Sequence, residues 1–329
     1  MTRGNLKRDT RTDGDLISIV MAAYNAERTI GDAIRSVLAQ THANFELLIN
    51  DDASKDGTVQ VVESFSDVRI KLIKSTINAG PGPARDRAID SARGVWITFL
   101  DADDQYVPDR LEKLLSVAVK YPDDLIADAI MDCHDTPSGL VPWRVVWDEC
   151  HFYALEGGAR IVKFEQFLRE HRQLIQPFFR RELAVRLRAN HGEKMNGEDM
   201  AFLFHFFAYG SVIRYVPCPM YLYRMTPGSL STKSPDRFRI YREVFEDGRI
   251  LFANDLSATM AIDAKIASIR RLEIYQEFFS PLRSGHWGVA WRVFMREPWV
   301  LREFLMRMVQ RMPFHIDRVM HRGKPRRVG

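Results

Sequence analysis

Between Leu16 and Lys120, short apolar runs alternate with stretches whose apolar residues recur every three or four positions. Leu16–Ala23, Phe45–Ile49, Arg69–Ile73 and Val95–Leu100 have the length and content of buried strands. Glu27–Gln40 places Ile30, Ala33, Ile34, Val37 and Leu38 on one helical face, and the stretch from Asp56 does the same with Val59, Val61, Val62 and Phe65. Ala84–Ala92 and Leu111–Lys120 complete the set. Strand and helix in strict alternation predict an α/β class with a doubly wound, mostly parallel sheet. Leu125–Met131 reads as a fifth strand. Residues 132–160, rich in Pro, Gly and Trp, read as an insertion over one face. Regular structure resumes at Ile175–Arg180 and Leu183–Leu187, an apolar helix follows at Met200–Tyr209, and Val212–Val216 and Met220–Tyr223 read as two strands. From Arg237 the chain reads as helical.

The strand Trp96–Leu100 ends in Asp101-Ala102-Asp103-Asp104. Three carboxylates within four residues need solvent, a cation or a strong donor. Alternate carboxylates at a strand end point to one side of the chain. Ligands of open parallel sheets bind beyond the carboxyl ends of the strands. Asp101 and Asp103 thus sit where a nucleotide diphosphate and a hard cation would be expected, Mg²⁺ being held by one or two carboxylates with phosphates and water. Capping of the helix after Pro108 is the plainer alternative. Asp51 and Asp52 end the second strand and Tyr24 ends the first, so their loops should lie side by side. A carboxylate can accept the N3–H of uracil and an aromatic face can stack on the ring. Asp52 is the expected base reader and Tyr24 the stacking partner, with Asp51 bonding local backbone. Ser54 and Asp56 also suit a helix cap.

Glu198-Asp199 opens the helix at Met200–Tyr209. A carboxylate at a helix N-terminus is stabilised as an anion and can accept a proton. N-capping alone would use the same residues. Arg85, just after the turn at Asn78–Pro83, would suit a diphosphate at a helix N-terminus; surface pairing with Asp86 or Asp90 is the alternative. The two glycines at Gly80 and Gly82 do not complete a dinucleotide fingerprint.

Val20-Met21-Ala22-Ala23-Tyr24-Asn25, then Asp51-Asp52-Ala53-Ser54-x-Asp56-Gly57-Thr58, then Asp101-Ala102-Asp103-Asp104 resembles family 2 of the inverting glycosyltransferases. The likeness is clear over residues 16–125 and weaker to about 230, and in style the chain resembles bacterial exopolysaccharide enzymes of the succinoglycan type. The resemblance implies a GT-A fold with a Rossmann-like nucleotide half. It implies donor binding by Ala22, Tyr24, Asn25, Asp51, Asp52, Arg85, Asp101 and Ala102, and Mg²⁺ or Mn²⁺ on Asp103. Asp199 is implied as general base with Glu198 as its helper. Asp86 stands where the family has Asn after Ala-Arg. The implied reaction moves a hexose, glucose in the first instance, from a UDP-sugar to a saccharide or lipid-linked acceptor with inversion. Trp143 and Trp147 would face the acceptor, Gln176–Arg181 would form its wall, and Tyr223-Arg224 with Pro227–Ser231 would form a lid over the diphosphate.

The expected domains are a polar arm at 1–15, a transferase domain at 16–232 divided into a nucleotide half (16–131) and an acceptor half (132–232), and a helical basic extension at 233–329. From Arg283 to Gly329 there are eleven Lys/Arg and three Asp/Glu, a net +8 against +4 for the whole chain. Aromatic and aliphatic residues lie among these charges, at Trp287, Trp291, Phe294, Trp299, Phe304, Met308 and Met312, as in helices on anionic membranes. A core-packed helix with a solvated basic face is the alternative, and no nucleic-acid module is present. Three cysteines make no disulfide framework, Cys133-His134 and Cys150-His151 lack zinc-site spacing, and no apolar run approaches membrane-spanning length. A cytoplasmic protein is expected, peripheral on the inner membrane. A nucleotidyltransferase is an alternative, but Ala22–Ala26 replaces its Gly-rich basic loop. A non-catalytic UDP-sugar-binding scaffold is another, with all the acids present against it.

Overall fold

The computed structural model describes residues 16–137, 139–146, 155–156, 159–169, 174–225 and 236–307. The first four strands and the helices between them follow the alternation in the sequence: β1 (Ile17–Ala23), α1 (Ile30–Leu38), β2 (Phe45–Asp51), α2 (Thr58–Glu63), β3 (Ile70–Lys74), α3 (Pro81–Asp90) and β4 (Trp96–Phe99). They pair in parallel in the order β3-β2-β1-β4. Every residue of β2 is buried, consistent with helices covering both faces. Ile30, Ala33, Ile34 and Val37 of α1 are fully buried in the same core as Ile17, Ile19 and Met21 of β1.

A two-residue strand β5 (Gln105–Tyr106), α4 (Arg110–Ala118), β6 (Leu125–Thr136) and β7 (Gly139–Val146) follow. β6 runs well beyond the Met131 end expected from sequence and turns back on itself as β7. Residues 132–146 are therefore a hairpin that prolongs the sheet rather than a loose insertion. After β8 (Leu155–Glu156), β9 (Ala159–Val162) and α5 (Phe164–Arg169) comes β10 (Phe178–Arg180), a three-residue strand wedged antiparallel between β4 and β6. α6 (Arg181–Leu187) and α7 (Glu198–Tyr209) lead into β11 (Ile213–Arg224), parallel to β6. The two strands expected at Val212–Val216 and Met220–Tyr223 are one strand with irregular register around Pro217 and Pro219, which have no N–H for the ladder. The parallel, doubly wound arrangement holds for β3-β2-β1-β4 and for β6 with β11, whereas the sheet as a whole is mixed: β10 is antiparallel between β4 and β6, and β5, β7, β8 and β9 also pair antiparallel.

Arg110 and Asp128 form a fully buried ion pair beneath β4 and β6. The guanidinium donates to both Asp128 oxygens, to Thr98 Oγ1 and to the Gln176 carbonyl. Satisfying so many donors at once is what makes burial of this charge tolerable.

Two compact units divide the chain, residues 1–265 and 266–329. The first includes α8 (Arg237–Gly248), which packs on α7: Phe204 meets Phe245 edge to face at 5.2 Å, and a Cβ at Gly248 would lie 2.2 Å from the Phe204 ring. A short 3₁₀ turn (Arg249–Phe252) follows, with Phe252 stacked on Phe164 at 4.6 Å. The long helix α9 (Leu256–Arg283) carries the chain into the second unit. There α10 (Trp287–Arg296) and the helical residues 299–307 enclose a small core of Phe278, Ala290, Val293 and Val300. No described helix is long and apolar enough to cross a membrane.

Candidate active site

The loops after β1 and β2 are knitted together. Asn25 N donates to Ser54 Oγ at 2.9 Å, Lys55 N to Asn25 Oδ1 at 2.8 Å, and Ala26 N to Thr58 Oγ1 at 2.7 Å. Asn25 and Ala53 hold left-handed backbone at these turns, φ 51° and 63°. Tyr24 stands exposed at the rim and Ala22 lies half-buried beside Asn50 of β2. The two aspartates have different surroundings. Asp52 is saturated by the chain itself: Oδ2 accepts from Ala79 N and Gly80 N, and Oδ1 from Arg87 at 2.7 Å. Its carboxylate pins the start of α3. Asp51 is equally buried; its Oδ2 accepts from Ser54 N at 3.1 Å, while Oδ1 has no partner. An unpaired buried acceptor is costly unless something supplies a donor. The free acceptor therefore belongs to Asp51, not to the Asp52 expected from sequence.

At the end of β4, Arg85 of α3 is the centre of the cluster. It is only 6% exposed, and its guanidinium is shared by three carboxylates: Nη2 with Asp101 Oδ1 at 2.7 Å, Nη1 with Asp199 at 2.9 Å and with Glu198 at 3.2 Å. The Phe99 ring lies 5.9 Å away. The surface pairing with Asp86 or Asp90 is absent, and the guanidinium faces Asp101 and the two acids that open α7. Although burial alone would disfavour the cation, Asp199, Asp101 and Glu198 outweigh it and raise the Arg85 pKa well above its ordinary value. Asp101 also accepts from Gln176 Nε2 at 3.0 Å through its other oxygen. Asp101 and Asp199, 98 positions apart in the chain, are thereby joined through one side chain.

Asp104 is buried. Tyr221 Oη donates to its Oδ2 at 2.7 Å, and Arg224 N to its Oδ1 at 2.7 Å. Burial, with Asp103 and Asp101 adding to it, pushes its carboxyl well above the usual range. Asp103 is raised to about 6, by burial first and then by Asp101. Arg224 donates to the Asp103 carbonyl at 2.7 Å and pairs with Asp135. Ala102 is buried between the two acids of the motif.

Gly197 precedes α7 with φ 84°, and a Cβ there would lie 2.7 Å from the Tyr241 ring. A side chain at this position would thus disturb the turn that delivers Glu198 and Asp199. Glu198 is buried, and its carboxyl is raised to about 7 by burial and by Asp199, with Arg85 opposing. Asp199 is 48% exposed on its side chain and can meet a ligand. His191, not singled out from sequence, braces the same corner. Its Nδ1 donates to Asp86 at 2.6 Å, its ring stacks on Phe202 at 4.5 Å, and burial lowers its pKa. Asp86, the departure from the family's Asn, is thus tied to a histidine 105 positions away.

Of the outer residues, Gln176 joins the cluster, whereas Trp143 is exposed on β7 beside His134 and Arg144. Trp147, Cys150, His151, Pro227–Ser231, Met308, Met312 and the arm at 1–15 lie outside the described residues. Among the described residues no three His, Cys, Asp or Glu side chains form a metal site by themselves. Asp103 makes no ion pair there, and burial together with the neighbouring Asp101 charge raises its carboxyl. That donor set fits a hard divalent cation whose other ligands come from phosphates and water.

Residues 18–172 match the model of glycosyl transferase family 2. The chain is 31% identical over 246 residues to the putative glycosyltransferase EpsH of Bacillus subtilis, covering 72% of this chain and 67% of that one. The chain belongs to glycosyltransferase family 2. Another relative is the succinoglycan biosynthesis protein ExoO of Rhizobium meliloti, 29% identical over 93% of this chain and 88% of that protein. The glucosyltransferase WfgD of Escherichia coli, named for transfer from UDP-Glc to GlcNAc-diphosphoundecaprenol, is 47% identical over 108 residues; the chain spans 43% of its length. Among solved structures, S. aureus TarS with UDP-GlcNAc aligns with TM-score 0.61 at 20% identity, over 80% of this chain and 72% of that one. The family 2 transferase thus has a GT-A-like sheet with helices at its C-terminal end.

Proposed function

We propose that this family 2 transferase moves a hexose from a UDP-sugar to a saccharide or lipid-linked acceptor, with inversion, in exopolysaccharide assembly at the cytoplasmic face of the inner membrane. The observation that carries the reading is Arg85 joining Asp101 at the donor motif to Asp199 at the start of α7. The names of relatives support the donor and acceptor classes: UDP-Glc and a diphosphoundecaprenol-linked sugar for WfgD, succinoglycan for ExoO. Glucose is the sugar of first choice on the same grounds.

In this mechanism Tyr24 stacks on the uracil and the unpartnered Asp51 Oδ1 accepts its N3–H, while Asp52 shapes the pocket through Ala79, Gly80 and Arg87. Ala22, Asn25 and Ala102 line the donor side. Asp101, steadied by Arg85 and Gln176, bonds hydroxyls of the sugar or ribose. Asp103 would hold Mg²⁺ or Mn²⁺, which when bound would supply neutralisation of charge on the diphosphate. Asp199 accepts the proton of the acceptor hydroxyl as that oxygen attacks the anomeric carbon from the side opposite the diphosphate. A single displacement inverts the centre. Glu198 and Arg85 fix the direction of the base. Purified protein with UDP-glucose, Mn²⁺ and a lipid-linked saccharide should release UDP with formation of glycosylated lipid. D199N should abolish turnover and leave UDP affinity within about threefold. Absence of both transfer and slow hydrolysis with every common UDP-sugar would overturn the proposal.

A further inference from the structure

We propose that the second unit docks on an anionic lipid surface, with Trp287, Trp291 and Met295 of α10 entering the bilayer interface. The assignment names the docking element and the lipid chemistry, and it stands on observations separate from the transfer site. Trp287, Trp291 and Met295 recur every four residues and are 69%, 61% and 62% exposed. A helix turns about 100° per residue, so the three form one stripe along α10. Ala290 and Val293 occupy a different face and are buried in the unit's own core. The stripe is continuous with an open apolar groove of about 480 Å³, lined by Phe278, Leu282, Trp287, Trp291, Phe294 and Leu301. Large side chains left in water in such a contiguous patch mark a contact surface.

Charge identifies the occupant. Residues 266–329 hold thirteen Lys/Arg and five Asp/Glu, net +8, so residues 1–265 carry −4 of the overall +4. Arg296 is paired with Glu277 and Arg307 with Glu303. Arg283, Arg292 and Arg302 are exposed and have no ion pair among the described residues. A second copy of the unit would bring its own +8 to the groove. The segment 308–329, with six Lys/Arg and one Asp, is itself cationic. Both are therefore repelled by the arginines around the stripe. A surface that is anionic outside and apolar within satisfies the guanidiniums and the indoles together, since Trp favours the headgroup level and Arg stems can lie along acyl chains while their charges reach phosphate.

The test uses the full chain with sucrose-loaded vesicles of phosphatidylcholine alone or with about one-third phosphatidylglycerol. Binding to the anionic vesicles should exceed binding to the neutral ones at least about tenfold and fall at high salt. Each arginine near such a surface raises partitioning about fivefold, so R283Q/R292Q/R302Q should weaken it by about 100-fold. W287A/W291A should weaken it by about tenfold or more. Brominated lipid should quench tryptophan fluorescence in the parent protein, and W287F/W291F should lose most of that quenching. All substituted side chains are exposed, so melting curves should be unchanged, and so should transfer to a water-soluble acceptor. Vesicle binding needs no donor, so its outcome is separate from that of the transfer assay. The proposal is overturned if anionic vesicles are not bound or are bound equally by W287A/W291A. It is also overturned if that variant instead dissociates an oligomer in light scattering, or if quenching appears only after removal of 308–329.

Discussion

Replacing Arg85 by Met removes a guanidinium that three acids share. The Arg85 side chain is 7% exposed, and its partners Asp101, Glu198 and Asp199 are 27%, 11% and 48% exposed. The Asp199 pair is screened by water and adds little to stability. The other two lie in drier surroundings, where losing one partner of a buried pair costs about 3–5 kcal/mol. Glu198, raised to about 7, takes up a proton readily, which holds the loss near the lower limit at neutral pH. About 3 kcal/mol corresponds to a fall in melting temperature of about 6–12 °C for a unit of this size. The functional effect should be larger. A base displaced by about 1 Å loses about 100-fold in rate, so transfer should fall at least that far. UDP affinity should change less than about threefold, because the guanidinium faces carboxylates rather than phosphate. R85K retains the charge but not the fork that spans several acids, and should keep most of the stability while losing about tenfold in transfer. Calorimetric titration with UDP and Mn²⁺, initial rates and thermal melts measure the three quantities. A tenfold loss of UDP affinity with an unchanged melting temperature would refute the reasoning and put Arg85 on the diphosphate.

Glu198 makes stability depend on pH. Its folded value of about 7 lies above the ordinary 4.5, so the folded state holds a proton that the unfolded chain releases; its contribution is full below 4.5 and is lost as pH rises through 7, by about 3 kcal/mol. E198Q should flatten that slope, melting near the parent at about pH 5 and above it at about pH 8 in scanning calorimetry. D103N should weaken metal-dependent UDP binding by about 100-fold while leaving the melting temperature of the free protein within a few degrees, as titration with and without Mn²⁺ would reveal. R110M should cost about 3–5 kcal/mol because Asp128 is left buried and alone, and the double change R110M/D128L should recover at least half of it in urea denaturation.

The structure also indicates how the acidic cluster remains stable without collapsing or repelling itself apart. Asp104 faces inward to Tyr221 and the Arg224 N–H, Asp101 is held by Arg85 and Gln176, and Asp103 makes neither contact among the described residues. Each acid of the motif therefore has a different surrounding, although the three lie within four residues.

The alternation of strands and helices from residue 16 to 120 was legible in the sequence because side-chain periodicity is a local property. The carboxyl ends of β1, β2 and β4 then share one edge of the sheet through topology alone, bringing Tyr24, Asp51 and Asp101 to that edge. Three-residue β10 is too short to have a period, so its place between β4 and β6 emerged only from the gap it fills. Which acids Arg85 would choose was equally hidden: its partner Glu198 is 113 positions away, and the surface acids Asp86 and Asp90 were the nearer candidates in the chain. That Asp52 is saturated by the chain while Asp51 keeps an unpartnered oxygen depends on where Ala79, Gly80 and Arg87 direct their N–H groups. Periodic patterns report which face of an element is buried; the choice of partner for a charge is made by distances through space, and those exist only in the folded chain.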